Sequence, residues 1–187
     1  EYSEYTTMEV IKMMLQQRGI PVDTVEPIEN TSSFSGTIVK IGKVLIYTSN
    51  RARITEREID TVLTVTEQNG GELSIIIVQL PPSSTILGMI RQHCEKIQLF
   101  HIGQLQFDIT THRKVPPHRI LNAEERSAFL TKYHIQDPVT QMPMIDSQDM
   151  MARWIGAKPG DIVEIIRKSE TSGSTPYYRL CVADVTL

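Results

Sequence analysis

The stretch at residues 156–173 reads GAKPGDIVEIIRKSETSG, and it decides how the last third of the chain folds. Pro159-Gly160 predicts a tight turn, because proline presets φ at the second turn position and glycine accepts a positive φ at the third. The branched aliphatic residues from Ile162 to Ile166 then predict a strand that starts at Asp161 and is covered on both faces.

The residues that follow predict an antiparallel return. Residues 169–175 are polar and are typical of a loop, and residues 177–182 can form the second strand of a hairpin. We expect this pairing to bring Glu164 and Arg179 within reach of each other across the sheet.

Three segments carry the pattern of a known family: QLQFDITTH at 104–112, VPPH at 115–118, and IIRKSETSG at 165–173 with Tyr178-Arg179 after it. Together they closely resemble the fifth subunit shared by eukaryotic nuclear RNA polymerases. The C-terminal part also resembles the smaller archaeal RNA polymerase subunit that corresponds to it. The resemblance is strong from about residue 104 to 182, and before that it is limited to the order of elements and scattered residues.

The chain departs from the family pattern at four places. The family's Pro-Lys-His is Pro116-Pro117-His118 here, its Asp-Pro at a helix start is Asp149-Met150, and its Gly-Arg-Tyr is Gly173-Ser174-Thr175. The chain also continues through residues 183–187, where family members tend to stop. These departures leave open whether the chain resembles the general copy of the subunit or a diverged paralogue that serves one polymerase.

The resemblance implies a non-catalytic subunit of a DNA-dependent RNA polymerase in the nucleus, or in the nucleolus if it serves the ribosomal RNA polymerase. In that family the C-terminal domain docks on the largest subunit, and the N-terminal domain forms a jaw near the incoming downstream duplex DNA. The implied partners are the polymerase subunits and that DNA. No cofactor, membrane or small-molecule substrate is implied.

The resemblance also implies the site residues. Those that bind the partner are Pro116, His118, Arg167, Lys168, Ser169, Glu170, Thr171, Ser172, Gly173, Tyr178 and Arg179. By their chemistry alone, residues 167–172 are equally typical of a solvated loop and of cations and hydroxyls that hold an acidic partner or a phosphate.

A second implied site lies near DNA. Pro82, Ser83 and Ser84 stand where the family has a Thr-Pro-Ser turn on the jaw. The free N–H groups of the following helix could hold a backbone phosphate there, without any dependence on base sequence.

The first part of the chain predicts an α/β layered domain over residues 1–103. Helices are expected after capping boxes at Thr6 and Thr55 and over residues 85–97. Strands are expected within 37–47, at 73–80 and at 98–102, with 20–36 as a connector. The alternation of strands and helices predicts that 73–80 is the central strand, with helices on both faces.

The remaining residues predict a small C-terminal domain of mixed β/α structure over 104–187. Residues 103–111 alternate between apolar and polar side chains, the pattern of a half-buried strand. Asn122 and Glu125 cap a helix that Asp137-Pro138 closes, and a short helix is expected over about 148–155.

Composition argues against several functions. Residues 1–108 contain 9 basic and 13 acidic side chains and residues 109–187 contain 10 and 9, so neither half has the basic excess of a free-standing DNA binder. Cys94 and Cys181 form no CxxC pair, and the five histidines show no HExxH motif. We expect no metal site, no catalytic residue and no enzymatic activity.

Two other functions stay open at this point. A nuclease would fit the α/β order, but it needs clustered acids and a lysine around Mg²⁺, and no Asp/Glu-x-Lys falls on a predicted strand. A free adaptor would use the hairpin domain as an interaction module outside polymerase.

Overall fold

The structure is a computed structural model that describes residues 6–30, 33–169 and 173–185. The chain divides into two compact units, Glu1–Asp108 and Ile109–Leu187. This division falls a few residues beyond the predicted boundary at 103/104. The carboxylate of Asp108 accepts a hydrogen bond from the Gln17 side chain at 2.7 Å, which ties the end of the first unit to its first helix.

Three helices of the first unit begin where the sequence supplies a cap. They are α1 (Thr7–Gln17), α2 (Glu56–Gln68) and α3 (Ser84–Gln92). The Thr6 and Ser83 hydroxyls accept N–H groups of the first turns of α1 and α3, as capping residues do. Helix α3 ends earlier than expected, because the N–H groups of Lys96 and Ile97 turn back to the carbonyl of His93.

Five strands form the sheet of this unit in the order β1-β2-β3-β4-β5. They are β1 (Glu26–Ile28), β2 (Gly36–Ile41), β3 (Val44–Ser49), β4 (Leu73–Val78) and β5 (Ile97–His101). The first three are antiparallel, and β3, β4 and β5 are parallel. The expected connector at 20–36 therefore contains a strand, and β3 rather than β4 stands in the middle of the sheet.

Both faces of this sheet are covered, as the apolar run of β4 predicts. Ile76 and Val78 pack in a core cluster with residues of α2 and α3. Ile75 and Ile77 alternate with them and are also buried. On that second face, Arg18 at the end of α1 donates to the Gln98 side chain of β5 at 2.7 Å.

The strand predicted over residues 103–111 is wrong. The chain forms two short 3-10 turns there, at Ile102–Gln104 and Ile109–Thr111. The Gln104 side chain accepts the N–H of His101, and the Leu105 N–H donates to the carbonyl of Ile102. These local bonds compete with strand pairing, and the alternating pattern cannot reveal them.

The second unit has a four-stranded sheet in the order β6-β8-β9-β7. Its elements are β6 (His118–Ile120), α4 (Ala123–Lys132), α5 (Pro138–Gln141), β7 (Met144–Asp146), α6 (Met150–Ile155), β8 (Ile162–Ser169) and β9 (Gly173–Val182). Only β7 and β9 pair in parallel. Asp137-Pro138, expected to close α4, instead starts α5, with the Asp137 carboxylate accepting the N–H of Val139.

A helix packs on each face of this second sheet. Val163 and Ile165 form a core cluster with Ala152 of α6, and we name this side the α6 face. Ile162 points to the other side, where its cluster includes Phe129 of α4, and we name this side the α4 face. The predicted combination of an α/β layered unit and a small mixed β/α unit is confirmed. Within the described ranges, no helix is long and apolar enough to cross a membrane.

Candidate partner-binding surface

The hairpin of β8 and β9 forms as predicted, and it extends beyond the four-stranded sheet. Pro159-Gly160 makes the expected turn, with the Asp161 N–H donating to the Lys158 carbonyl at 3.0 Å and Gly160 at φ 96°. β6 pairs only with residues 163–165, and β7 pairs only with 180–182. Residues 166–169 and 173–176 therefore form a two-stranded projection, which we name the ribbon.

The loop at the tip of the ribbon is shorter than predicted. Strand β8 runs to Ser169 and β9 resumes at Gly173, where φ is 70° and glycine is favoured. Glu170, Thr171 and Ser172, which the resemblance implies as partner-binding residues, lie outside the described residues. Because Ser174 and Thr175 are already in β9, most of the expected loop is strand.

The predicted proximity of Glu164 and Arg179 is wrong. The register places Tyr178 opposite Glu164, and Val163 opposite Arg179. Because successive side chains of a strand point to opposite faces, Glu164 lies on the α4 face and Arg179 on the α6 face. A shift of one residue in the register separates the two groups that the sequence pattern pairs.

The α4 face holds a closed set of charges, which we name the Arg119 network. Glu164 accepts from the Arg119 Nε at 2.5 Å and from the Tyr178 hydroxyl at 3.0 Å. Arg119 Nη1 also donates to both carboxylate oxygens of Glu125 at 2.8 Å. The Phe129 ring lies 4.4 Å from the Tyr178 ring between centroids. Each charged group of this network has an opposite charge as its partner.

The pKa shifts in the Arg119 network follow from these contacts. The backbone N–H of Asn122, and then the Arg119 guanidinium, lower the pKa of Glu125. Burial, and then the hydrogen bond to Glu164, raise the pKa of Tyr178. The network therefore favours a charged Glu125 and a protonated Tyr178.

The α6 face carries arginines in a different setting, which we name the arginine stack. The Arg167 guanidinium lies 4.6 Å from the centre of the Tyr177 ring, and the Arg179 guanidinium lies 5.3 Å from it. Arg179 Nη1 also donates to the Met144 carbonyl at 2.9 Å. Among the residues that the structure describes, neither arginine forms an ion pair with a carboxylate.

The residues that the resemblance implies for partner binding are divided between the two faces. His118 lies opposite Ile165, so it shares the α6 face with Arg167 and Arg179. Its Nδ1 lies 2.7 Å from the Pro116 carbonyl, a local hydrogen bond that holds the extended segment before β6. Lys168 and Tyr178 alternate to the α4 face.

Sequence reasoning missed Tyr177, the centre of the arginine stack. The signal was present, because two adjacent tyrosines in a strand must point to opposite faces. With Tyr178 bonded to Glu164, Tyr177 must lie on the side of Arg167.

The residues implied to lie near DNA are at one edge of the first sheet. β4 ends at Val78, and the Ser83 hydroxyl accepts the N–H of Ile86 at 3.4 Å as the cap of α3. Ser83 and Ser84 are exposed, and Pro82 is half-buried. Sequence reasoning missed the neighbouring segment at 51–53, which the Leu80 N–H holds through the Ala52 carbonyl at 2.9 Å.

That neighbouring segment adds positive charge to the edge. Arg51 and Arg53 are both exposed. Arg51 Nη1 lies 3.9 Å from the Glu58 carboxylate, a distance at the limit for an ion pair. Over the described ranges, no group of three or more His, Cys, Asp or Glu residues is placed to hold a metal ion.

A half-exposed cationic hairpin on a sheet with a helix on each face defines a class of protein that binds a macromolecular partner. A sequence profile described as RNA polymerase Rpb5, C-terminal domain, matches residues 107–181. The chain is 51% identical over 79 residues to the DNA-directed RNA polymerase subunit Rpo5 of Thermococcus onnurineus, covering 42% of this chain and 94% of that protein.

Eukaryotic relatives match a longer part of the chain. The DNA-directed RNA polymerases I, II, and III subunit RPABC1 of Caenorhabditis elegans is 31% identical over 142 residues, which is 75% of this chain and 66% of that protein. The protein of the same description from Dictyostelium discoideum is 31% identical over 144 residues, which is 74% of this chain and 72% of that protein. The chain therefore belongs to the Rpb5/Rpo5 family of RNA polymerase subunits, and the predicted resemblance is confirmed.

Proposed function

We propose that this protein is a non-catalytic subunit of a DNA-dependent RNA polymerase and acts in the nucleus. The observation that carries the proposal is the similarity to RPABC1 proteins, which extends over most of the chain. The description of those proteins names RNA polymerases I, II and III. A nucleolar location follows if this chain serves the ribosomal RNA polymerase.

The second unit docks on the largest polymerase subunit. The profile match spans residues 107–181, which include the whole ribbon and β6. Strands β6, β8 and β9 form a firm base for the ribbon, because Val163, Ile165 and Cys181 are buried within the unit. The exposed Arg167 and Lys168 at its end are therefore held in place for a partner.

The first unit acts as a jaw next to downstream duplex DNA. The turn at Pro82, Ser83 and Ser84 exposes hydroxyls and the first N–H groups of α3, which complement a phosphate. Arg51 and Arg53 lie beside this turn through the Ala52–Leu80 hydrogen bond. Because residues 1–108 contain more acidic than basic side chains, the jaw depends on polymerase to hold the duplex nearby.

Native purification tests the assembly part of the proposal. The full chain carries an affinity tag and is purified from its own cells, and mass spectrometry identifies the co-purified proteins. We expect the two largest polymerase subunits. Their absence would exclude a polymerase subunit and leave the free adaptor. A variant that lacks residues 169–174 should keep its fold and lose co-purification, and unchanged co-purification would contradict docking through the ribbon tip.

Photo-crosslinking tests the position of the jaw. A photo-crosslinker at Ser83, in assembled polymerase on a DNA template, should label the downstream duplex. The matched control is a crosslinker at Gln68, which is exposed at the other end of α2. Labelling of upstream DNA alone, or equal labelling from Gln68, would show that this edge does not face the downstream duplex.

The absence of an active site is tested on the purified chain. We expect no metal-dependent cleavage of duplex DNA and no hydrolysis of nucleotides. Cleavage that disappears on substitution of a single Asp or Glu would contradict this part of the proposal and support a nuclease.

A further inference from the structure

We propose that the arginine stack of Arg167, Tyr177 and Arg179 binds a carboxylate-bearing segment of the protein partner. This inference rests on the proposed docking of the second unit on the largest subunit, and it names the chemistry that the ribbon recognises. The partner segment contributes at least one Asp or Glu side chain to the α6 face of the ribbon.

The geometry of the stack leaves hydrogen-bond donors unused. Each guanidinium carries five N–H donors in a planar fork. Arg179 uses its Nη1 on the Met144 carbonyl, and Arg167 contacts the Tyr177 ring without a carboxylate partner in the described part of the chain. A guanidinium next to an aromatic ring is held in orientation by the ring, so its N–H edges remain available to a carboxylate.

The Arg119 network shows what this chain does when it neutralises an arginine itself. Arg119 is engaged by two carboxylates, those of Glu125 and Glu164. The arginine stack lies on the same sheet and has no equivalent acids within the described residues. The difference supports an external source of negative charge on the α6 face.

A protein carboxylate fits this site better than nucleic acid does. Affinity for nucleic acid depends on how many phosphates are neutralised, and residues 109–187 contain 10 basic and 9 acidic side chains. Two fixed guanidiniums are too few for a phosphate-binding surface. They are sufficient for one or two carboxylates, which the planar fork can bind through two parallel hydrogen bonds.

The backbone of the ribbon favours recognition by side chains over the addition of a strand. The Leu180 N–H points to the outer edge of β9, where it donates to the Pro143 carbonyl. Tyr178 and Pro176 point their backbone groups to the same edge, because direction alternates along a strand. Pro176 has no N–H, so a partner strand would meet a missing donor there.

The experiment measures binding of the largest polymerase subunit by the full chain. Substitution of both arginines, R167Q with R179Q, should weaken capture about ten-fold or more. The matched control is R126Q, which removes the same charge from α4 and should change capture by less than about two-fold. Fluorescence of Trp154, the single tryptophan, reports whether each variant remains folded.

The outcomes separate the two proposals. If the unsubstituted chain does not capture the subunit, the proposed function fails, and this inference fails with it. If the unsubstituted chain and the folded R167Q/R179Q variant capture it equally, the proposed function stands and this inference is overturned.

A zero-length cross-link identifies the chemistry of the bound group. A variant with R167K and K168R places one reactive amine at position 167, which carbodiimide couples to a carboxylate in contact. A cross-link from position 167 to an Asp or Glu of the partner is the expected result. A cross-link to nucleic acid, or none at 167 in a complex that cross-links elsewhere, would overturn the assignment.

Discussion

The two faces of the C-terminal sheet carry arginines with opposite surroundings. On the α4 face, Arg119 is bonded to two carboxylates, and one of them also accepts the Tyr178 hydroxyl. On the α6 face, Arg167 and Arg179 lie against the Tyr177 ring. The charges of the first set are used within the fold, whereas those of the second remain available to a partner.

The helices that cover these two faces differ in how deeply they are buried. Helix α6 has six residues, four of which are buried, including Trp154. Helix α4 has ten residues, and none of them is buried. The α6 face therefore supplies a firm core beneath the arginine stack, while the α4 face depends more on polar contacts. The following predictions test this difference, in order of decreasing effect.

Truncation of Trp154 tests the core under the α6 face. Trp154 is 1% exposed, so Trp154→Ala should lower the free energy of unfolding by about 3–5 kcal/mol. Phe129→Ala on the half-buried side of α4 should cost about half as much. Urea unfolding followed by circular dichroism compares the two variants. Equal losses would show that the two helices contribute equally.

Removal of Arg119 tests the closed network on the α4 face. Arg119→Gln leaves Glu164 with only the Tyr178 hydroxyl as a donor, and it should cost about 1 kcal/mol in the free energy of unfolding. The loss should shrink in high salt, because half of the Arg119 side chain is exposed to solvent. A loss unaffected by salt would indicate a packing effect instead of an ionic one.

The pH dependence of unfolding tests the setting of Tyr178. Its folded-state pKa is raised by burial and by Glu164, so its contribution to stability is fully present below about pH 10 and is lost as pH rises through the folded-state pKa. Tyr178→Phe should reduce this loss of stability at high pH. Urea unfolding between about pH 8 and 11 measures it, with Tyr133→Phe as the exposed control.

Removal of Arg167 should have the smallest effect on stability. Its side chain is exposed and forms no ion pair within the described residues, so Arg167→Gln should change the free energy of unfolding by less than about 0.5 kcal/mol. The same urea titration as for Arg119→Gln gives the comparison. A loss as large as that of Arg119→Gln would show that the arginine stack stabilises the fold.

Much of the fold could be predicted from short segments. The caps at Thr6, Ser83 and Asn122 start helices within one residue of the expected position, because a cap acts on N–H groups two or three residues away. The turn at Pro159-Gly160 and the hairpin that follows it were predicted for the same reason. The family could be identified from the segment at 165–179 alone.

The pairing of residues across strands was decided only by the tertiary structure. Glu164 meets Arg119 and Tyr178 instead of Arg179, because a register different by one residue exchanges the faces of every side chain. The register depends on how the whole sheet packs, and a local pattern such as that of β8 does not contain it.

The sequence by itself therefore determined the helix starts, the hairpin and the family, all of which depend on residues close together in the chain. The tertiary structure decided which arginines are neutralised and which stay available. It also decided that the segment at 51–53 lies beside the turn at Pro82 and Ser83. Both depend on contacts between residues far apart in the chain, whose energies arise only when the sheets assemble.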